Sequence, residues 1–275
     1  TKLILNFFII FDEFFWKLRV NYFLIFSKKK NQLHYVFKEL KNNGYAIFER
    51  FYDEKTTNII KENCLNESNN LPANKISNIE TISNLILPNG LRLEKLNESI
   101  KLKGLNKLNP FFSNITNNYF FKKICWIYQL NLDSTLIYNL VHDGSFKHSI
   151  FSDKISKKMI AGQPHIDNGI HGLRLALALE DIDANNGPTV IFKGSMKMKK
   201  IKKNHTNVLL ESFGFISDKE SGHNLNEKDI EYLEQNCEKT EIICKKGDLV
   251  LIDLKSAHYQ QILKKGQRHI LWRYC

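Results

Sequence analysis

The chain has 275 residues, 43% of them hydrophobic, enough for one large domain, or one domain with an added element, around a sizeable core. Its formal charge of +11 invites a nucleic-acid reading. However, Lys, Asn and Ile are abundant together and no RRM, KH, zinc-finger or helix-turn-helix signature is present, so the charge reads as a solvated basic surface. The five cysteines (Cys64, Cys125, Cys237, Cys244 and Cys275) are odd in number and widely spaced, with no C-x-x-C. That excludes a disulfide framework or a cysteine metal site and points to a reducing, cytoplasmic setting.

Residues 1–30 stand apart as a hydrophobic, amphipathic N-terminal helix. Wound as a helix, Lys2, Asn6, Glu13, Lys17 and Asn21 share one narrow stripe in an otherwise apolar, aromatic-rich segment. Asp12, Glu13, Lys17 and Arg19 interrupt its middle and oppose a membrane span. A secretory signal is opposed by the lack of a small-residue cleavage site. Two readings remain: a helix packed on the domain or on a second subunit, and an in-plane membrane helix. The second would give residues 1–26 a peripheral lipid contact through Trp16 and the phenylalanines, followed by Lys28, Lys29 and Lys30.

Residues 31–275 read as a single domain. A helix from Asn31 to Asn42 is stopped by Gly44, and Tyr45 to Phe48 is a strand. Asp53 caps a helix over Glu54 to Cys64, and a polar loop follows from Asn66 to Asn78. Strands and turns alternate over 85–105, a helical segment spans about Phe111 to Tyr128, and Ser134 to Val141 is a strand. The polar stretch His142 to Ala161 has the length of a lid. Residues from about 196 to 240 look like an insertion with one helix near Glu227 to Gln235, before strands at Leu249 to Leu254 and His269 to Tyr274. Short strands with glycine-marked turns favour a mainly β barrel or jelly roll with flanking helices.

The chemistry gathers on His165-Ile166-Asp167. On an extended strand residues i and i+2 project from one face, so an imidazole and a carboxylate point together. His258 is a candidate second imidazole, and ten residues later Arg268 offers a planar donor fork suited to a carboxylate. Two His and one carboxylate on one side of a metal suit non-haem Fe(II) oxygen chemistry. In a chain with nine histidines an H-x-D pair alone carries little weight. Order and context carry more: H-x-D, a Gly-Pro turn, a Gly-Ser turn, Gly-Asp before a hydrophobic strand, then His and Arg.

That order resembles the phytanoyl-CoA dioxygenase family of Fe(II)/2-oxoglutarate oxygenases over about Asn43 to Tyr274. The matches are Asn43 to Phe48, Gln163 before His165 and Asp167, and Leu175 to Leu179 leading into Asp181-Ile182-Asp183. They continue through Asn186-Gly187-Pro188-Thr189, Gly194-Ser195, Gly247-Asp248, His258 and Arg268. Met196, Pro164 and Gln260 stand where relatives often carry His, an aromatic and a small hydroxylated residue. The resemblance implies a double-stranded β-helix (jelly-roll, cupin-like) core with Fe(II) on His165, Asp167 and His258. It further implies 2-oxoglutarate as co-substrate, dioxygen as oxidant, and Arg268, or second Arg273, on the far carboxylate. Gln163, Thr189 and Gln260 fall on the co-substrate side.

Three protein ligands leave three positions on an octahedral ion, enough for a chelating 2-oxoacid and dioxygen. A carboxylate at 167 argues for hydroxylation over halogenation, and the expected substrate is a small molecule or a lipid- or glycan-linked metabolite. The stretches His142 to Ala161, Asn168 to Arg174 and the insertion would frame the mouth. There Arg174, His171, Lys157, Lys158, Lys199 and Lys200 would meet an anionic group or form a solvated rim. The alternatives are a jelly-roll metal enzyme that does not use 2-oxoglutarate and a catalytically silent binding module.

Overall fold

A computed structural model describes residues 2–26, 32–69, 81–87, 89–96, 99–108, 110–116, 119–128, 136–142, 162–167, 172–212, 225–261, 263–264 and 266–274. Its centre is two antiparallel sheets. The larger is built from β1 (Tyr45–Phe48), β2 (Thr81–Ile86), β3 (Arg92–Leu96), β4 (Ser99–Lys103), β5 (Leu136–His142), β6 (Leu173–Ala178), β9 (Leu249–Asp253) and β11 (Gln267–Tyr274). Their spatial order is β1-β9-β6-β11-β5-β4-β3-β2. The smaller sheet has β10 (His258–Gln260), β7 (Thr189–Phe192) and β8 (Lys239–Ile242) in that order.

Alternation along β6 and β9 explains why the sheet is covered on both sides. Leu173, Leu175, Leu177, Leu249 and Leu251 face the helical layer, while Ala176, Ala178, Val250 and Ile252 face the smaller sheet. Ile191 and Ile242 of the smaller sheet meet that second set. The helical layer comprises α1 (Lys2–Phe26), α2 (Gln32–Asn43), α3 (Glu54–Asn69), α4 (Leu105–Leu108), α5 (Pro110–Thr116) and α6 (Tyr119–Tyr128). Leu33, Val36, Phe37 and Leu40, one helical stripe of α2, are all buried there, each contributing roughly 1.5–3 kcal/mol. The outer face of the smaller sheet is closed by α7 (Lys199–Ser212) and α8 (Glu227–Asn236) through Ile201 and Leu233 against Phe192.

Helix α1 packs on the domain. Trp16 and Val20 enter the core, Phe23 meets Phe37 edge-on at 5.0 Å between ring centroids, and Arg19 Nε donates to the Ile127 carbonyl at 3.1 Å. Its opposite side leaves Phe11, Phe14, Leu18, Tyr22 and Ile25 exposed. No helix among the described residues is long and apolar enough to cross a membrane.

Local signals in the sequence map onto these elements with three differences. Helix α3 runs on to Asn69 rather than ending at Cys64. The lysine-rich start of the insertion forms a helix of its own, α7, whose buried Ile201, His205 and Val208 were masked by the surrounding lysines. The strands form the centre, yet helices contribute more of the described residues, so "mainly β" fits the core and not the whole. The stretches His142 to Ala161 and 70–80 fall largely or wholly outside the described residues.

Gly247-Asp248 has a structural task. The buried Asp248 carboxylate accepts from Arg50 N at 2.8 Å and Lys245 N at 2.7 Å, tying the turns before β9 and after β1 together. Asp248→Ala strands both N–H groups and is expected to cost about 2–4 kcal/mol. A urea midpoint that does not fall would refute this.

Candidate metal centre

Two distant stretches meet through backbone pairing. His165 N donates to His258 O at 2.9 Å, His258 N to His165 O at 3.0 Å, and Asp167 N to Leu254 O at 3.1 Å. Ile166 turns the other way, into the apolar cluster of Phe192 and Ala257. His165 and Asp167 therefore share the opposite face, as the i, i+2 spacing requires. The stretch before His258 is pinned twice more. Ser195 Oγ accepts from Ala257 N at 2.9 Å, and a Cβ at Gly44 (φ +83°) would collide with Ser256 Oγ. The Gly-Ser turn and the glycine that ends α2 thus both help to seat His258.

Each imidazole is oriented by the same local device. His165 Nδ1 lies 2.7 Å from the Gln163 carbonyl and His258 Nδ1 2.8 Å from the Ser256 carbonyl. A carbonyl only accepts, so Nδ1 carries a proton, and in the neutral ring Nε2 is then the atom with the free lone pair. Burial, then the neighbouring His258, pushes the His165 imidazolium down from its usual range, favouring the neutral ring. The Nε2 atoms of His165 and His258 each lie 3.5 Å from an Asp167 oxygen, Oδ1 and Oδ2 respectively. His258 Nε2 is buried and accepts no hydrogen bond among the described residues. With the rings neutral, acceptors face acceptors at a buried site, an arrangement a cation reconciles. One ligand atom from each side chain lies within 4.8 Å of the others, so the set is able to hold a metal ion.

Arg174 supplies the balancing charge. It shares the inner face of β6 with Ala176 and donates from Nη2 to Asp167 Oδ2 at 2.7 Å. Burial alone would raise the Asp167 carboxyl, but Arg174, and then His258, hold it well below the usual carboxylate range. The sequence placed Arg174 at the rim, and the structure places it against Asp167. Lys200, also considered for the mouth, is paired with Asp229 at 2.7 Å between α7 and α8. Lys157, Lys158 and His171 lie outside the described residues.

Around Gly187 three more residues meet. Arg268 Nη1 and Gln260 Nε2 both donate to the Gly187 carbonyl, and Thr189 Oγ1 donates to Gln260 Oε1 at 3.1 Å. Arg268 is buried on β11, and burial pushes its guanidinium down to about 10, with Glu180 opposing and Arg174 adding to the shift. Gln163 contributes its carbonyl to His165, while Arg273 lies on β11 opposite Leu136 and Leu175. Lys101 on β4 escaped the sequence reading because its strand shows only loose alternation. Burial lowers its ammonium pKa, and the charges of Glu94, Lys103, Arg174 and Asp167 all act on it.

The chain superposes on SnoN, a non-heme alpha ketoglutarate dependent epimerase from nogalamycin biosynthesis, with TM-score 0.53, 11% identity, and coverage of 88% of this chain and 82% of that one. SnoK, a non-heme alpha ketoglutarate dependent carbocyclase from the same biosynthesis, gives 0.52 at 10% identity over 91% and 84%. EctD from S. alaskensis with bound Fe gives 0.55 at 10% identity over 90% and 78%. The fold is shared with these iron and 2-oxoacid proteins. No protein-family model and no curated protein sequence matches the chain.

Gly187 adopts φ +71°, and a Cβ there would sit 2.8 Å from Gln261 O and 3.1 Å from Arg268 Nη1. Gly187→Ala is therefore expected to cost about 1–3 kcal/mol, lowering the thermal midpoint by about 2–4 °C per kcal/mol at this chain length. An unchanged midpoint would mean that the turn yields freely and does not hold Arg268.

Proposed function

We propose that the protein is an Fe(II)- and 2-oxoglutarate-dependent oxygenase that hydroxylates a small-molecule or lipid- or glycan-linked substrate. The observation that carries this reading is the convergence of the His165 and His258 imidazoles and the Asp167 carboxylate, one ligand atom from each lying within 4.8 Å of the others. The buried Arg268, and a fold shared with SnoN, SnoK and EctD, support it. The ordered motifs from Asn43 to Arg268 support the finer placement among phytanoyl-CoA dioxygenase-like enzymes with a double-stranded β-helix core.

In this reading His165 Nε2, Asp167 and His258 Nε2 hold the iron. The bound ferrous ion supplies oxygen activation coupled to oxidation of the 2-oxoacid to succinate and CO2. The chain's own task is to bind, orient and exclude water. The carbonyls of Gln163 and Ser256 keep both rings in the ligating tautomer. Arg268, buried yet charged at neutral pH, would bind the far carboxylate of the co-substrate by charge-assisted hydrogen bonds. Gln260 and Thr189, joined to each other and to the Gly187 carbonyl, set the wall beside it. The carboxylate at Asp167 fills the position a halide would need. A metal enzyme that does not use 2-oxoglutarate has no evident use for so costly a buried guanidinium.

Adding Fe(II) and 2-oxoglutarate to the protein without oxygen is expected to produce the weak visible charge-transfer band of the chelate, and admitting oxygen to release succinate. His165→Ala should abolish the band, and Arg268→Ala should weaken 2-oxoglutarate binding by about 10- to 100-fold, the scale of a charge-assisted pair. A band that survives His165→Ala would refute the ligand assignment. Unchanged 2-oxoglutarate affinity in Arg268→Ala would refute the co-substrate role.

A further inference from the structure

Asp167 has two carboxylate oxygens, and they are not equivalent. Oδ2 receives Arg174 Nη2 at 2.7 Å and stands 3.5 Å from His258 Nε2, whereas Oδ1 faces His165 Nε2 at 3.5 Å. Both partners of the ion pair are largely buried, with side chains 14% exposed. Arg174 reaches the carboxylate from the inner face of β6, in a strand whose Leu173 and Leu175 are locked in the helical core. The guanidinium is therefore placed by the sheet and not by a loose surface side chain.

We infer that Arg174 is a positioning residue that occupies Asp167 Oδ2, restricting Asp167 to one-oxygen ligation through Oδ1. The inference rests on the metal assignment proposed above. Carboxylates bind metals through one oxygen or two. On a six-coordinate ion, two imidazoles and one carboxylate oxygen leave three positions, whereas a two-oxygen carboxylate leaves two. A chelating 2-oxoacid uses two by itself, so the second carboxylate oxygen competes with the co-substrate or with whatever must bind beside it. The same guanidinium offsets the negative charge of Asp167, which leaves the loaded centre more positive toward an incoming dianion. Both effects act in one direction: Arg174 favours the co-substrate at some expense to the metal. Lysine is a poor replacement, because its point charge lacks the planar fork.

The test measures two affinities on one protein without turnover. Co(II) binding is titrated first, and 2-oxoglutarate binding to the Co(II)-loaded protein is then followed by calorimetry, for wild type, Arg174→Met and Arg174→Lys. Arg174→Met is expected to bind Co(II) as tightly as wild type or more so, while 2-oxoglutarate affinity drops by about tenfold or more; Arg174→Lys recovers part of that loss. A merely structural role would weaken both ligands in parallel with a lower thermal midpoint. That parallel loss, or 2-oxoglutarate affinity unchanged in Arg174→Met, overturns the inference. Arg174→Leu, which likewise removes both the donor and the charge, carries the same expectation if the Met variant does not fold. Wild type failing to bind 2-oxoglutarate on Co(II) would instead overturn the proposed function itself.

Discussion

Everything at the centre depends on two imidazole nitrogens and a carboxylate being forced to face one another. Two imidazoles, each with Nδ1 committed to a backbone carbonyl, turn their Nε2 atoms toward one carboxylate. In a buried pocket such a grouping is unfavourable by itself and is held by the surrounding chain. The backbone ladder between His165 and His258, the Ser195 hydroxyl under Ala257 and the close approach of Gly44 to Ser256 supply that constraint. The metal-binding potential of the pocket is thus built into backbone pairing, with the side chains following.

Charge balance is the second theme. The inner face of the larger sheet carries Arg174 and Arg268, with Lys101 within reach of the same field, against Asp167 and Glu94. Buried cations are costly to keep without partners. Here some of that cost is met internally: Arg174 by Asp167 and Arg268 by the Gly187 carbonyl. The cations gathered on this face are what the proposed dicarboxylate co-substrate would meet.

Much of this was legible in the sequence, for reasons that can be named. The i, i+2 spacing of His165 and Asp167 fixes a shared face whenever that stretch is extended. Gly44, Asp53 and Gly247 mark turns by chemistry that needs no tertiary information; Asp53 Oδ1, for example, accepts from Thr56 N at 2.7 Å. Three things were hidden. Arg174 looks like any charge near a loop until β6 is paired with β9 and β11, which sets its face. The lysines of α7 conceal a helix whose apolar side is read only against Leu225 and Leu233. Lys101 becomes notable only because β4 joins β5 in the larger sheet, a pairing no local pattern specifies. Helix α1 shows the same limit: its sequence offers one narrow polar stripe in an otherwise apolar segment, and only packing shows that Trp16 and Val20, and not Phe11 and Leu18, face the domain.

The most direct test of the central claim is anomalous diffraction at the iron edge from crystals of the protein loaded with Fe(II) under anaerobic conditions. The account predicts one strong peak within bonding distance of His165 Nε2, Asp167 Oδ1 and His258 Nε2. Iron bound elsewhere, or three side chains that remain in place with no metal between them at saturating Fe(II), would contradict it.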